Sequence, residues 1–427
     1  MRRPGVCLGL AALLWLSAAA SQALPSWSES RGEDLRIRLV TIGTGGPLYT
    51  WWGHTGLIVE DLSRGLGRFY NYGLFSFAED NFFLNFARGR LIFAVGASSP
   101  ARELALYRGF NRSIRIQTLN LVPEKRRELA LYLEWNVRPE NRDYLYDHYR
   151  DNCATRVRDL IDETIDGQLS AQSASPPGQS FREHTRRHTF RHPLMDWLLM
   201  FLMGSSIDQP VSPWEAMFLP AELERGVDLV TYTDPRGVLR PLVSERQVYY
   251  QARERKEVPA EPPLLWPGGL LVGLAAGAAA LVLRLLAAGG KPAGVRLFGL
   301  YQSFVGLILG IPGTALFVMS LFTDHTVTYN NLNLLLANPL TLLALPLGIW
   351  AAAGSRRARV WSDRLWNLLA CLGLAALLAA LLPFFSQDNR FALAVILPLL
   401  VALSSPARDT IRRLSGAVGS RGRGGTR

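Results

Sequence analysis

Three cysteines occur in this 427-residue chain, and one of them stands where it could do chemistry. Cys7 falls in an apolar N-terminal segment and Cys371 in a long apolar stretch. Cys153 lies alone in the mixed polar region between them, with no partner for an intramolecular disulfide. A solitary thiol is either a small packed hydrophobe or a nucleophile, and its neighbours favour the second. Asp151-Asn152-Cys153 reads as the opening of a helix with Asp151 as N-cap. The positive end of the helix dipole then lowers the thiol pKa and favours thiolate. Arg156, one turn on, acts in the same direction, and Asp151 opposes it.

A nucleophilic thiol needs a base. His54 is the strongest candidate, because it opens a strand in Trp51-Trp52-Gly53-His54-Thr55-Gly56, where the adjoining glycine permits close approach. A third polar group should orient the imidazole. Asn71 on the following strand is the candidate, with Tyr72 as the alternative. His148 reads as a surface or supporting residue. His184, His188 and His192 recur every four residues and could line one helix face as metal ligands. The interspersed Arg182, Arg186, Arg187 and Arg191 would repel a cation, so a solvated basic face is the preferred reading. Neither a metal nor a cofactor is expected.

The elements that must position these residues are legible in part. Leu35, Ile37 and Leu39 alternate, as do Ile114 and Ile116, with the period of half-buried strands. Segments 56–60 and 68–74 read as strands joined by a turn at Gly65 and Gly67. Pro123 starts a helix through Trp135, and 151–165 is a second, with Val157, Leu160 and Ile161 on its apolar face. Residues 170–180 read as a surface loop. The region 24–250 is therefore expected to be one α+β domain, followed by a charged, Pro-rich linker over 251–263.

The rest of the chain speaks of a membrane. Hydrophobic residues make up 49% of the sequence and concentrate at its start and after residue 264. Arg2-Arg3, an apolar run and Ser21-Gln22-Ala23 have the layout of a cleavable export signal over 1–23. Five apolar stretches, near 264–288, 297–322, 333–353, 366–385 and 389–405, suggest an all-α bundle of about five transmembrane helices. The first four are long enough to cross; the fifth is short. Lys and Arg crowd the first and third loops and the basic tail 406–427, which places these in the cytoplasm and 24–260 outside. Two separate signals thus export the thiol. The net charge of +11 sits largely in membrane-flanking loops and the tail, so nucleic acid is not an expected partner.

The loop 323–332 is unusually polar, and it faces the exported side. Asp324, His325 and Asn330 in it are candidates for substrate binding, with Thr326, Asn331, Asn333 and Asn338 nearby.

His54 in Gly53-His54-Thr55-Gly56-Leu57-Ile58-Val59, followed about a hundred residues later by Asn152-Cys153-Ala154-Thr155, resembles the circularly permuted branch of the NlpC-type papain-like superfamily. In that branch, to which lecithin:retinol acyltransferase belongs, the histidine strand precedes the cysteine helix. Gly204 with Asp208, and Met217-Phe218-Leu219-Pro220, narrow the resemblance to the Lnb N-terminal periplasmic domain family, over roughly residues 36–235. The resemblance implies lipoprotein N-acylation at a bacterial inner membrane with the catalytic domain in the periplasm. An acyl chain would pass from a phospholipid donor to Cys153 as a thioester, then to the α-amine of a diacylglyceryl-cysteine lipoprotein. On this reading His54 moves the protons and the Cys153 amide helps hold the oxyanion. Asn152 or Tyr149 could supply a second donor. Two alternatives stand beside it: a cysteine amidase or peptidase acting on cell-wall peptides, and a non-catalytic membrane receptor or assembly factor in which Cys153 is structural.

Overall fold

Leu35, Ile37 and Leu39 bury on one face of a strand, while Val40 and Ile42 bury on the other. A strand that is apolar on both sides must be covered on both sides, and the fold follows from this. The computed structural model describes residues 26–75 and 81–405, so the expected signal segment 1–23 and basic tail 406–427 lie outside the described residues.

The strands are β1 (Leu35–Ile42), β2 (His54–Asp61), β3 (Leu66–Leu74), β4 (Ile92–Ser98), β5 (Ile114–Leu119), β6 (Asp143–Leu145), β7 (Thr231–Thr233), β8 (Leu239–Pro241) and β9 (Val243–Tyr250). Seven of them form one sheet in the order β6-β4-β3-β2-β1-β5-β9, and every pairing in it is antiparallel. On one face, helices Pro123–Asn136 and Cys153–Thr164 pack Leu129, Leu133, Val157 and Ile161 into a core with Ile37, Leu57, Val59, Tyr70 and Tyr72. On the other, helix Pro100–Gly109 lays Leu104 and Tyr107 over Val40, Ile58 and Phe69.

Contacts divide the chain into two units: Met1–Gln179 with Pro210–Glu257, and Ser180–Gln209 with Val258–Arg427. The single exported domain expected over 24–250 is revised accordingly. Helices Phe181–Thr189 and Pro193–Leu202 belong to the second unit, where Phe201 joins the apolar core and Arg182 forms a buried ion pair with Asp208 at 2.6 Å. The first unit ends inside the linker expected from its prolines and charges.

Among the described residues the second unit contains four segments long and apolar enough to cross a membrane: Trp266–Ala288, Pro292–Phe322, Leu332–Ala352 and Arg356–Ala380. The last apolar helix, Arg390–Leu403, has 14 residues. At 1.5 Å per residue it is shorter than the roughly 30 Å hydrocarbon layer. It lies along the first span, where Gly269, Gly273 and Gly277 recur every four residues. A Cβ on Gly273 would overlap the Ala394 carbonyl oxygen, so only glycine lets the two backbones meet there. The third span is helical throughout only from Ala344; its polar first half, through Asn333 and Asn338, is built of short 3-10 turns.

Candidate functional site

The helix carrying Cys153 starts at that residue because Asn152 caps it. Asn152 Oδ1 accepts from the Ala154 and Thr155 amides at 2.8 and 3.0 Å, and Thr155 Oγ1 accepts from the Asn152 amide at 2.8 Å. This reciprocal capping stabilises the helix by about 1 kcal/mol. Asn152 Nδ2 donates to the carbonyls of His148 and Phe218, which ties the cap to the Met217-Phe218-Leu219-Pro220 segment. The N-cap expected at Asp151 is thus one residue later, since the backbone of Asn152 is extended and its amide side chain reaches both donors. Asn152 is also corrected as a substrate-binding candidate, because its side-chain oxygen and nitrogen are committed to this cap.

His54 begins β2, opposite Ile42 of β1. Gly53 before it adopts φ +85°, and a Cβ there would come 2.9 Å from the Ile42 carbonyl oxygen. Glycine therefore sets the entry of the chain into the strand. His54 Nε2 lies 2.6 Å from Asn71 Oδ1, and Asn71 Nδ2 donates to the Tyr107 hydroxyl at 3.3 Å. With Nε2 as donor to the amide oxygen, Nδ1 is the basic nitrogen. The structure thus joins the expected base to Asn71. Tyr72, the alternative, points to the opposite face and donates to Asn136 at 2.7 Å.

Strand parity sends His54 and Asn71 to the face of helix Pro100–Gly109, whereas the Cys153 helix packs on the other face. Cys153 nevertheless lies at the strand ends, beside the residues that adjoin His54 and Tyr72. The backbone N–H of Thr55, adjoining His54, bonds to the Cys153 sulfur. A Cβ on Gly73 would lie 3.7 Å from Cys153 Cβ and 3.9 Å from the Tyr144 hydroxyl.

One residue at this junction was missed in sequence. Arg112 is 5% exposed, donates from Nε to the Gly43 carbonyl at 2.8 Å, and places its guanidinium 5.3 Å from the Tyr107 ring centre. The Tyr107 ring in turn stands 5.9 Å from that of His54. Arg112 Nη2 is buried with no hydrogen-bond partner among the described residues. Nothing in the local sequence marks this arginine among 46 basic residues; only the register of Ile42 with both His54 and Ile114 brings it here.

Burial governs the protonation of the pair. It pushes the Cys153 thiol up, against the Thr55 amide, Arg112 and the helix-start amides, which favour thiolate. The thiolate expected from the helix dipole is therefore corrected: desolvation exceeds it. Arg156 was expected to help, but it forms a two-pronged pair with Asp151 at 2.5 and 2.8 Å and stacks over Tyr144. Burial also lowers His54, Arg112 acts in the same direction and the Asn71 bond opposes both, which leaves it at about 4. At neutral pH the pair rests as thiol and neutral imidazole.

Of the remaining candidates, Tyr149 is 4% exposed and packs edge-on against His148 and Phe218. His148 is half-buried rather than superficial: Trp52 stands edge-on to it at 4.7 Å, and burial lowers it to about 4. Asp324, His325 and Asn330 belong to the second unit and shape its loop. The Asp324 carbonyl accepts from Thr326, His325 Nδ1 lies 2.8 Å from Thr323 Oγ1, and Asn330 takes a left-handed φ of 52°. His184 and His188 are buried in helix Phe181–Thr189, whereas His192 falls beyond its end, so the three do not share a helix face. Among the described residues no group of three His, Cys, Asp or Glu side chains is placed to hold a metal ion.

An aromatic series leads away from the thiol. Tyr146, whose ionisation would be opposed by charge on Cys153, stacks on Phe93 at 4.2 Å; Phe93 stacks on Phe75 at 4.9 Å, and Phe75 on Phe82 at 6.0 Å. Beyond it Tyr49, Phe83, Leu84 and Ile92 are exposed. Tyr49 meets Phe75 edge-on at 6.0 Å and Phe83 meets Phe82 at 5.5 Å, so the series of rings that begins beside the thiol ends at exposed apolar side chains.

Residues 23–191 match the family model of the Lnb N-terminal periplasmic domain, and residues 279–407 match that of the Lnb transmembrane domain. No curated protein and no solved structure matches the chain.

Proposed function

The chain belongs to the Lnb family, a membrane protein with a periplasmic N-terminal domain, and on that premise we propose that it is a thiol-dependent acyltransferase of the inner membrane. It moves an acyl chain from a phospholipid to the N-terminal amine of diacylglyceryl-cysteine lipoproteins. The observation that carries this reading is the aromatic path from Cys153 to an exposed apolar surface, which suits an acyl chain better than a cell-wall peptide.

The chemistry follows from the resting state. The Cys153 sulfur attacks the ester carbonyl as His54 Nδ1 takes the thiol proton, so no free thiolate accumulates. The developing oxyanion meets the Cys153 amide, which lies outside the two N–H groups that Asn152 caps, and the unpartnered Nη2 of Arg112. Collapse expels the lysophospholipid alkoxide, which takes the proton from His54 and leaves a thioester. The lipoprotein amine then attacks the thioester carbonyl, His54 accepts its proton, and the departing Cys153 sulfur is reprotonated.

The test is expression in cells depleted of their own lipoprotein N-acyltransferase, with mass spectrometry of lipoprotein N-terminal peptides. Triacylated peptides are expected with the native chain and none with Cys153→Ala or His54→Ala at equal membrane abundance. Absence of triacylation with the native chain, together with cleavage of cell-wall peptides, would establish the amidase reading instead.

A further inference from the structure

The second unit contains a cleft lined by residues of helices Phe181–Thr189 and Pro193–Leu202, the starts of the first and third spans, and the start of the last helix. With the second span returning the chain, the starts of the first and third spans lie on the side from which the chain enters at Val258, the exported side. Three of its lining residues carry a buried polar atom with no hydrogen-bond partner among the described residues: Trp197 Nε1, Asn389 Nδ2 and Asn333 Oδ1. Asn333 and Asn389 are 1% and 4% exposed. Leaving such a group unpaired is costly, so three around one cleft point to a polar ligand rather than to chance. The enclosed space is about 20 Å³, more than the roughly 10–15 Å³ that one water takes by this measure.

The chemistry of the three atoms describes the ligand. Two are donors and, with the Arg186 guanidinium also in the lining, suit oxygens of a phosphodiester. The third is an acceptor and requires a donor on the same ligand. Formal charge balances around the cleft, with Arg186 and Arg390 against Asp196 and Asp388; Arg186 stands 3.5 Å from Asp196 and 3.8 Å from Asp388. A neutral lining favours a zwitterion over a net anion. Trp266 and Phe391 complete the wall with apolar surface, which suits the glycerol and acyl part of such a ligand.

We propose that this cleft binds the phosphoethanolamine headgroup of an outer-leaflet phospholipid, its phosphate on Arg186, Trp197 and Asn389 and its ammonium toward Asn333 and the two carboxylates. The phosphate end enters the enclosed space and the remainder lies in the open mouth. The inference does not rest on the acyl-transfer reading, because a lipid held here is either a donor in waiting or a fixed part of the structure.

The test reconstitutes the full chain in nanodiscs of equal phosphatidylethanolamine, phosphatidylglycerol and phosphatidylcholine, exchanges it into mild detergent, and counts retained lipids by native mass spectrometry. Phosphatidylethanolamine should be retained about tenfold over the other two, and Trp197→Phe or Asn389→Asp should lower this about tenfold. Asn389→Asp is isosteric and Trp197→Phe keeps an aromatic ring, and an unchanged thermal unfolding midpoint of the full chain verifies folding. Lipids retained in proportion to the mixture, or retention unchanged in both variants, overturns the proposal. So does displacement of the lipid by inorganic phosphate that then stays bound, which would make the ligand a free anion.

Discussion

His54 Nε2 and Asn71 Oδ1 meet at 2.6 Å across the paired strands β2 and β3, where Asn71 is registered against Gly56, two residues along from His54. The pairing places a neutral amide, not a carboxylate, behind the base. The amide fixes the ring and its tautomer without adding charge, and leaves burial to set the imidazole at about 4.

Replacing Asn71 tests that separation of roles. Asn71→Ala should slow thioester formation by roughly ten- to a hundredfold, because the ring loses its orientation but keeps its nitrogen. Asn71→Asp should restore part of the rate and raise the His54 pKa, since a carboxylate favours the imidazolium. Single-turnover acylation with a labelled phospholipid reads the first, and the pH dependence of that rate reads the second. An Asp variant no better than Ala would show that the bond to the ring is not what Asn71 contributes.

Arg112 acts on both partners in the same direction, lowering His54 and favouring the Cys153 thiolate. Arg112→Gln should therefore move the iodoacetamide alkylation profile of Cys153 to higher pH and raise the His54 pKa together. In the native chain the alkylation rate should keep rising beyond the ordinary thiol range, with no thiolate plateau in mild acid. A plateau below neutrality would mean a preformed thiolate–imidazolium pair and would contradict the protonation derived from burial. Acylation should fall by about a hundredfold in the variant if Nη2 serves the oxyanion.

Acid should loosen the first unit before it reaches any carboxylate range. His54 and His148 both fall from an ordinary 6.5 to about 4 on folding. Between these values the unfolded chain binds more protons than the folded one, so stability is full above about 6.5 and declines as pH falls toward 4. Each imidazole contributes at most about 3 kcal/mol to that decline. Hydrogen exchange on the full chain at pH 4.5 and 7 should show lost protection in β2 and around 146–152, with the membrane spans unchanged. Equal protection at both values would mean that these rings are charged without penalty.

Much of this site could be read before any coordinates. Cys153 is conspicuous because export and the absence of a partner isolate it, and His54 because glycines bracket the start of a strong strand. Asn71 follows once two neighbouring strands are seen. β4 and β9 were not legible: Ile92–Ser98 is rich in small residues without alternation, and Val243–Tyr250 is an edge strand with a polar, exposed run. Arg112 depends on which strands are neighbours, a long-range fact that no local spacing encodes. The assignment of 180–209 to the second unit was hidden for a similar reason. Arg182 reads as one more surface charge until Asp208 and the carbonyls of Met200, Met203 and Gly204 are seen around it. The same holds for Asn331 and Asn333, whose amides both donate to the Phe201 carbonyl.

The stripe Gly269, Gly273 and Gly277 makes a last prediction about the short final helix. With 14 residues, Arg390–Leu403 cannot cross the hydrocarbon by length alone, and its place depends on contact with the first span. Gly273 sits at the tightest point, where a Cβ would overlap the carbonyl oxygens of Ala394 and Val395. Gly273→Leu should force the helices apart, while Gly268→Leu, where a Cβ meets nothing within 4 Å, should be tolerated. A cysteine pair across the contact, Gly277→Cys with Ala402→Cys in a chain lacking Cys371, should cross-link readily in the native background and poorly with Gly273→Leu. Thermal unfolding in detergent should shift in the same order, by about 1–3 kcal/mol for the overpacked variant. If Gly273→Leu and Gly268→Leu behave alike, the final helix is held by something other than this contact.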